Sequence, residues 1–409
     1  MVPRHKIDIS AADLLFALRA CFSARSRERD ERDALSALAI DETEGLLCLS
    51  VRSGLELLLE ALRLPAGSEI VVSAVTHPDM ARILERHGIV AVPVDLDTRT
   101  LAPRLELLER ALTERTRGIL VAHLFGGTVN LTPIAAVARR EGLLLLEDCA
   151  QSLGASPHGG NRLADVSMFS FGPIKTATAL GGAALRVADP ALLERMRELQ
   201  SAWPSQKRRT YAARVAKFIG LAFLARPAVY GGLARLVDLD RLVSRSVRGF
   251  PHSDDRLLER LRSRPSAPLA AVVARRLRAL DFERIDARAR AGEETAALLS
   301  PRLACPGTDA VGRTHWVFPV VPPDPVALVV SLRRAGFDAA GSTTSIGVVA
   351  APTGRAALEA KEARRMMRAV VFLPAYPELT TRTRRRLAEA ANGALVETDA
   401  RELSAPAHT

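Results

Sequence analysis

The apolar positions divide this chain into regions of different rhythm. From Leu47 to Val187, short apolar runs of strand length alternate with segments whose apolar residues recur every three or four positions. LCLSVRSG leads into a helical LELLLEALRL. Then come strand IVVSAVT, helix ARILERH, strand IVAVPVDLD, helix LELLERAL, strand GILVAHLFG and helix IAAVARREG. Strands alternating with helices of this length predict an α/β fold with a mainly parallel, helix-covered sheet. Upstream, AADLLFALRACF and the charge run RSRERDERD predict an amphipathic helical arm over residues 1–45, packed on a partner subunit or on the C-terminal domain. Downstream, LAAVVARRLRALDFERIDARARAGEETAALL reads as helix, HWVFPVVPPDPVALVVSLRRAGFDA as strand, turn and helix, and VVFLPAYP as a late strand. These last segments predict a smaller α+β domain. The expected divisions are 1–45 for the arm, 46–200 for the large domain, 201–262 for an insert and 263–409 for the small domain.

One stretch carries the chemistry. Leu143 to Asp148 is an apolar strand closed by two acids, Glu147 and Asp148. A second short strand, VSMFSFG, is followed by a lone lysine, Lys175, and then by Gly181 and Gly182 before a further apolar strand. A carboxylate at one strand's carboxyl end and a lysine on the loop after its neighbour both project to the ligand-binding edge of an open α/β sheet. Pyridoxal phosphate needs this pair, a lysine amine to hold its aldehyde as a Schiff base and a carboxylate to keep its pyridine nitrogen protonated. Taken singly, an acid at a strand end is a solvated end or a cap, and a lone lysine is a surface residue.

The motifs EDCAQSLGA and FSFGPIK and the following GG resemble the DegT/DnrJ/EryC1/StrS aminotransferases, a branch of the fold type I enzymes that use pyridoxal 5′-phosphate. The resemblance runs from about Leu47 to Ala391. It implies a mainly parallel seven-stranded sheet covered by helices with a smaller C-terminal domain. It also implies Lys175 and Asp148 as catalytic residues, and Gln151 near the cofactor's 3-oxygen. Ser170 and the pair Ser53 and Gly54 would take the phosphate, and His77 stands where the family places an aromatic ring over the pyridine. His123 matches a strand end that lines or supports the pocket.

The pattern also departs from the family. Leu55 replaces a hydroxyl residue after Ser53 and Gly54, and Leu180 replaces the glutamate of a GEGG element. Arg262 stands where an asparagine is expected to reach the partner's cofactor phosphate, with Arg264 as the companion arginine. His315 and Trp316 are candidates for the substrate entrance.

Composition narrows the class. The chain has 409 residues, 48% of them hydrophobic, enough for substantial cores. Net charge is +11, which admits anionic partners. The surplus is dense in residues 201–250, where ten Lys or Arg stand against two Asp among aliphatic and aromatic residues. A packed helical insert is the plain reading of it. In-plane contact with an anionic membrane surface and a lid over substrate phosphates are the others. The bases are interleaved with aliphatics and no nucleic-acid recognition motif is present, so no nucleic-acid partner is expected. Cys21, Cys48, Cys149 and Cys305 are scattered without metal-ligand spacing, no metal is expected, and the cytoplasm is the expected location. The resemblance thus implies an aminotransferase with an amino acid donor, glutamate, and a keto acceptor such as a nucleotide-linked keto sugar or natural-product intermediate, working as a homodimer. A lyase, cyclase or dehydratase on the same scaffold and a regulatory protein without turnover are the alternatives.

Overall fold

The structure, a computed structural model, describes residues 1–156, 159–224, 257–341 and 346–404. Its centre is a seven-stranded sheet in the order β1 (Gly45–Cys48), β8 (Ala183–Val187), β7 (Val166–Ser170), β6 (Leu144–Asp148), β5 (Thr116–Ala122), β2 (Glu69–Ser73) and β4 (Val90–Val94). β4, β2, β5, β6 and β7 run parallel, β8 is antiparallel to β7, and β1 is antiparallel to β8. The mainly parallel sheet expected from the alternating pattern is therefore present.

Both faces are covered, which is why the strands read as near-continuous apolar runs. Ile70, Val72, Leu120, Leu146, Met168 and Leu185 pack on one side with α3 (Val51–Leu62), α4 (Pro78–Arg86) and α7 (Pro190–Ala202). Val71, Ile119, Val121 and Leu145 pack on the other with α5 (Leu105–Ala111) and α6 (Thr132–Arg140). Side chains alternate along a strand. Asp148 therefore lies on the α3 side of the sheet with Leu146, and Glu147 on the opposite side with Leu145.

The amino-terminal arm is two helices, α1 (Ala11–Phe22) and α2 (Arg27–Ala37), preceded by an extended strap. Ser10 caps α1 in a capping box with Asp13. Both helices pack on α10 (Ala267–Arg278), whose residues Leu269 to Ala274 are buried against Phe169, Phe171 and Ala184 of the sheet. In the strap, the Val2 amide donates to Gly336 O at 2.7 Å and the Asp338 amide donates to Val2 O at 2.8 Å, tying residue 2 to the segment around Phe337.

Of the basic insert, α8 (Arg208–Leu224) and α9 (Leu257–Leu261) are described. Tyr211, Val215, Phe218 and Leu221 of α8 are buried, and they pack with α1 and α10. The apolar stripe of α8 is thus spent inside the protein rather than offered to a membrane. The rest of the candidate membrane-contacting stretch, residues 225–256, lies outside the described residues. No helix among those described is long and apolar enough to cross a membrane.

The small unit follows α11 (Phe282–Ala296). A three-stranded sheet, β10 (Ala340–Gly341), β12 (Val371–Leu373) and β9 (Phe318–Val320), packs with α12 (Pro325–Arg334) and α14 (Thr381–Ser404) around Leu332, Phe337 and Leu387. A two-stranded pair, β11 (Gly347–Val348) with β3 (Val75–Thr76), and α13 (Lys361–Ala369) join it to the large sheet.

Candidate active site

The predicted carboxylate and amine both lie at the carboxyl edge of the sheet, near enough for each charge to act on the other's pKa. Asp148 closes β6, is buried, and accepts one hydrogen bond on its side chain among the described residues, from the Ala150 amide to Oδ1 at 2.9 Å. Burial raises its pKa, opposed by that amide and by the charge of Lys175. Lys175 lies on the loop after β7, where its amide donates to Gly172 O at 3.0 Å and closes a turn. Its Nζ lies 4.1 Å from the centroid of the Trp316 ring, and it has no hydrogen bond or ion pair among the described residues. Desolvation lowers this amine's pKa from 10.5 to about 8, with Asp148 pulling it up and Arg52 pushing it down.

Behind Asp148 is a buried support. Glu147 Oε2 accepts from His123 Nε2 at 3.0 Å, and His123 Nδ1 accepts from the Val129 amide at 3.1 Å, which fixes the proton on Nε2. Glu147 Oε1 also accepts from the Asn161 amide at 2.6 Å. Cys149 shares this cluster, its ligand atom within 4.8 Å of those of His123 and Glu147, and the hydrogen bonds of the histidine and the acid already serve the fold.

The other candidates take distinct places. Gln151 Oε1 accepts from the Phe125 amide at 3.0 Å, which joins the loops after β6 and β5. Ser170 ends β7, and its Oγ takes a long 3.5 Å contact from the Gly172 amide. His77 caps α4, its Nδ1 accepting from the Asp79 amide at 3.1 Å. Ser53 is fully buried in the first turn of α3, where Ser50 is the cap. Its amide donates to Ser50 Oγ at 3.1 Å and the two hydroxyls are 3.0 Å apart. Gly54 is demanded by packing, because a Cβ there would stand 2.6 Å from Leu185 Cδ1 of β8. Leu55 is buried in the core on the same helix. Arg262 is committed to buried Glu56 of α3, through Nε at 2.9 Å and Nη2 at 2.8 Å. Arg264 stays beside residue 204, its amide donating to Pro204 O at 2.9 Å.

The folded chain adds residues that the sequence did not single out. Arg52, in the first turn of α3, pairs with buried Asp79 at 2.6 Å and places a second cation near Lys175. The strap closes over the lysine loop, with Asp8 Oδ2 accepting from the Ala177 amide at 2.7 Å. His5 stands 6.4 Å from the Trp316 ring. Trp316 donates from Nε1 to Ile174 O at 3.0 Å, and Thr314 clamps Gly126 O from both its amide and its hydroxyl at 2.8 and 2.9 Å. Four non-glycine residues around these loops hold left-handed backbone: Phe125 (φ 59°), Ala177 (φ 54°), Leu180 (φ 62°) and His315 (φ 46°). Such strain concentrates where a surrounding structure over-determines a site. The only sequence signal for Arg52 was its place one residue ahead of Ser53, and a helix start favours anions as a rule.

The model of the DegT/DnrJ/EryC1/StrS aminotransferase family matches residues 39–248. The chain is 40% identical over 186 residues to the erythromycin biosynthesis sensory transduction protein EryC1 of Saccharopolyspora erythraea, covering 43% of this chain and 50% of that protein. It is 36% identical over 153 residues to a UDP-N-acetyl-3-dehydro-alpha-D-glucosamine 3-aminotransferase of Acidithiobacillus ferrooxidans, covering 37% and 42%. The chain thus spans half or less of the length of these relatives. In fold it is similar to the aminotransferase TlmJ of Streptoalloteichus hindustanus, with a TM-score of 0.69 at 21% identity over 97% of this chain and 98% of that one. With a family match over half of its length and the same architecture, the chain belongs to the DegT/DnrJ/EryC1/StrS aminotransferase family.

Proposed function

We propose that this protein is a pyridoxal 5′-phosphate-dependent aminotransferase that moves an amino group from an amino acid donor, glutamate, to a keto acceptor such as a nucleotide-linked keto sugar or natural-product intermediate. The observation that carries this reading is the state of Lys175. It is an amine with no ionic or hydrogen-bonding partner among the described residues, its pKa drawn down to about 8, with a buried carboxylate acting on it. An amine in that state is a nucleophile near neutral pH.

The donor set fits the cofactor. Asp148 spends one oxygen on a backbone amide, so its carboxylate retains capacity to hold a protonated ring nitrogen. Lys175 would hold the aldehyde, Ser170, Ser53 and Gly54 the phosphate, His77 the ring face and Gln151 the 3-oxygen side. Bound there, pyridoxal 5′-phosphate supplies an electron sink for the charge left when the donor's α-proton departs. When its nitrogen is not attached, Nζ of Lys175 is the base that carries that proton. The Trp316 ring keeps one side of the amine apolar, which favours the unprotonated form the task requires. The His123 and Glu147 pair fixes the backbone of β5 against β6 and so aims Asp148.

The acceptor class rests on the relatives, one of which is named for a keto sugar carried by UDP. A homodimer is the working unit that the family resemblance supports, and sedimentation velocity on the purified chain tests it. For the activity, the chain loaded with pyridoxal 5′-phosphate is mixed with glutamate and its absorbance followed. Replacement of the lysine-bound band by that of pyridoxamine 5′-phosphate is the expected result. An unchanged spectrum with glutamate removes it as the donor.

A further inference from the structure

Helix α11 delivers to the lysine loop one side chain that the proposed chemistry leaves unused. Arg288 donates from Nε to Thr314 O at 2.7 Å and from Nη1, at a long 3.3 Å, to Thr176 Oγ1. Its Nη2 is shut off from solvent and has no hydrogen-bond partner among the described residues. Among the described residues no acid forms an ion pair with it. Asp8, the acid whose charge it feels, is already engaged with the Ala177 amide at 2.7 Å and with Arg276 at 3.2 Å. Burial depresses the pKa of Arg288 to about 10.

A guanidinium nitrogen withdrawn from water without an anion is disfavoured, and the group's planar fork is shaped for two oxygens of a carboxylate or a phosphate. The positions of its two contacts say where that anion would sit. Thr176 directly follows Lys175, and Thr314 is two residues before Trp316, whose ring lies 4.1 Å from Lys175 Nζ. His5 belongs to the same corner. Burial and the cations Arg4, Arg288 and Lys175 hold its pKa near 4, so it is neutral at working pH and adds no charge of its own.

We propose that Arg288 anchors an oxyanion of the substrate beside Lys175, either the carboxylate of the amino donor or a phosphate of the acceptor. The proposal rests on the reading of Lys175 as the cofactor-bearing amine.

The full chain, loaded with pyridoxal 5′-phosphate and also cofactor-free, is titrated calorimetrically with glutarate, a dicarboxylate lacking an amine, and separately with UDP. Wild type, R288Q and R288K are compared. We expect R288Q to weaken one of the two ligands about tenfold or more and R288K to weaken it less, since it keeps charge but loses the fork. Affinity for pyridoxal 5′-phosphate stays within about twofold of wild type. Loss of glutarate binding identifies the donor carboxylate, and loss of UDP binding the acceptor phosphate. Unchanged binding of both ligands by R288Q overturns the proposal, and so does a wild type that binds neither. If R288Q melts below the assay temperature, R288K against wild type decides. A chain that takes up no cofactor but loses anion binding in R288Q refutes the reading of Lys175 and leaves the anion site standing.

Discussion

Lys175 Nζ stands 4.1 Å from the centre of the Trp316 indole, and the indole Nε1 is bonded at 3.0 Å to the carbonyl of Ile174, the residue just before that lysine. One tryptophan from the small unit therefore covers the amine and also fixes the backbone that carries it. Trp316→Ala removes an aromatic face and a hydrogen bond together, at a combined cost of about 2 kcal/mol. Trp316→Phe keeps the face and loses only the bond, for about 1 kcal/mol. Urea unfolding reads both, and hydrogen exchange at residues 174–178 should quicken more in the alanine variant. Equal exchange in the two variants would leave the indole without this role.

The depressed amine makes a pH prediction. Capture of pyridoxal 5′-phosphate by the cofactor-free chain should rise through about pH 8 rather than near 10.5, because Nζ must be unprotonated to react. Asp148 raises this pKa, so Asp148→Asn should move the midpoint lower. The linkage has a definite sign. Between about pH 8 and 10.5 the unfolded chain binds more protons at this position than the folded one, so the contribution of Lys175 to stability improves as pH rises through that window. Stopped-flow absorbance across pH gives the first midpoint. A midpoint above 10 would contradict the burial argument.

Gly54 separates packing from ligand binding. A Cβ at that position would lie 2.6 and 2.8 Å from the two methyls of Leu185, so Gly54→Ala should push α3 off β8 and cost about 1–3 kcal/mol. Pairing it with Leu185→Ala should recover part of the loss. Strict additivity of the two changes in urea unfolding would show that they do not meet.

The buried pair behind Asp148 predicts a larger effect. Glu147→Ala strands the His123 Nε2 proton and the Asn161 amide, so it should cost about 1–3 kcal/mol for each stranded donor. Burial works to raise the pKa of Glu147, but the hydrogen bond from His123 and the contacts with Ser167 and Asn161 prevail and hold it below the ordinary carboxylate value. A depressed carboxyl contributes stability above its unfolded pKa and loses it as pH falls. Wild type should therefore weaken on acidification below about pH 4.5 more steeply than Glu147→Gln, as read by thermal melts across pH.

Much of this was legible in the chain, because parallel strands buried on both faces leave contiguous apolar runs and their carboxyl ends gather the chemistry. The places of Asp148 and Lys175 were readable for that reason, one at the end of β6 and the other on the loop after the adjacent β7. The start of α3 was displaced, since LELLLEALRL marks the apolar stripe while the cap at Ser50 begins the helix at Val51. Gly54 was readable as a place for backbone to approach a ligand, and the close approach of Leu185 to it was not. Arg52 and Arg288 were invisible among 57 Lys and Arg, because a basic residue earns notice only once its burial and partners are known. The stacking of Trp316 on Lys175 joins residues 141 positions apart, and periodicity holds no information on such a contact.

The central claim is that the amine of Lys175 holds the cofactor's aldehyde. The most direct measurement is to load the chain with pyridoxal 5′-phosphate, reduce it with borohydride, digest it and locate the added mass by peptide sequencing. The account predicts one stoichiometric adduct on the peptide carrying Lys175, absent in Lys175→Ala. An adduct on any other lysine, or none, would contradict it.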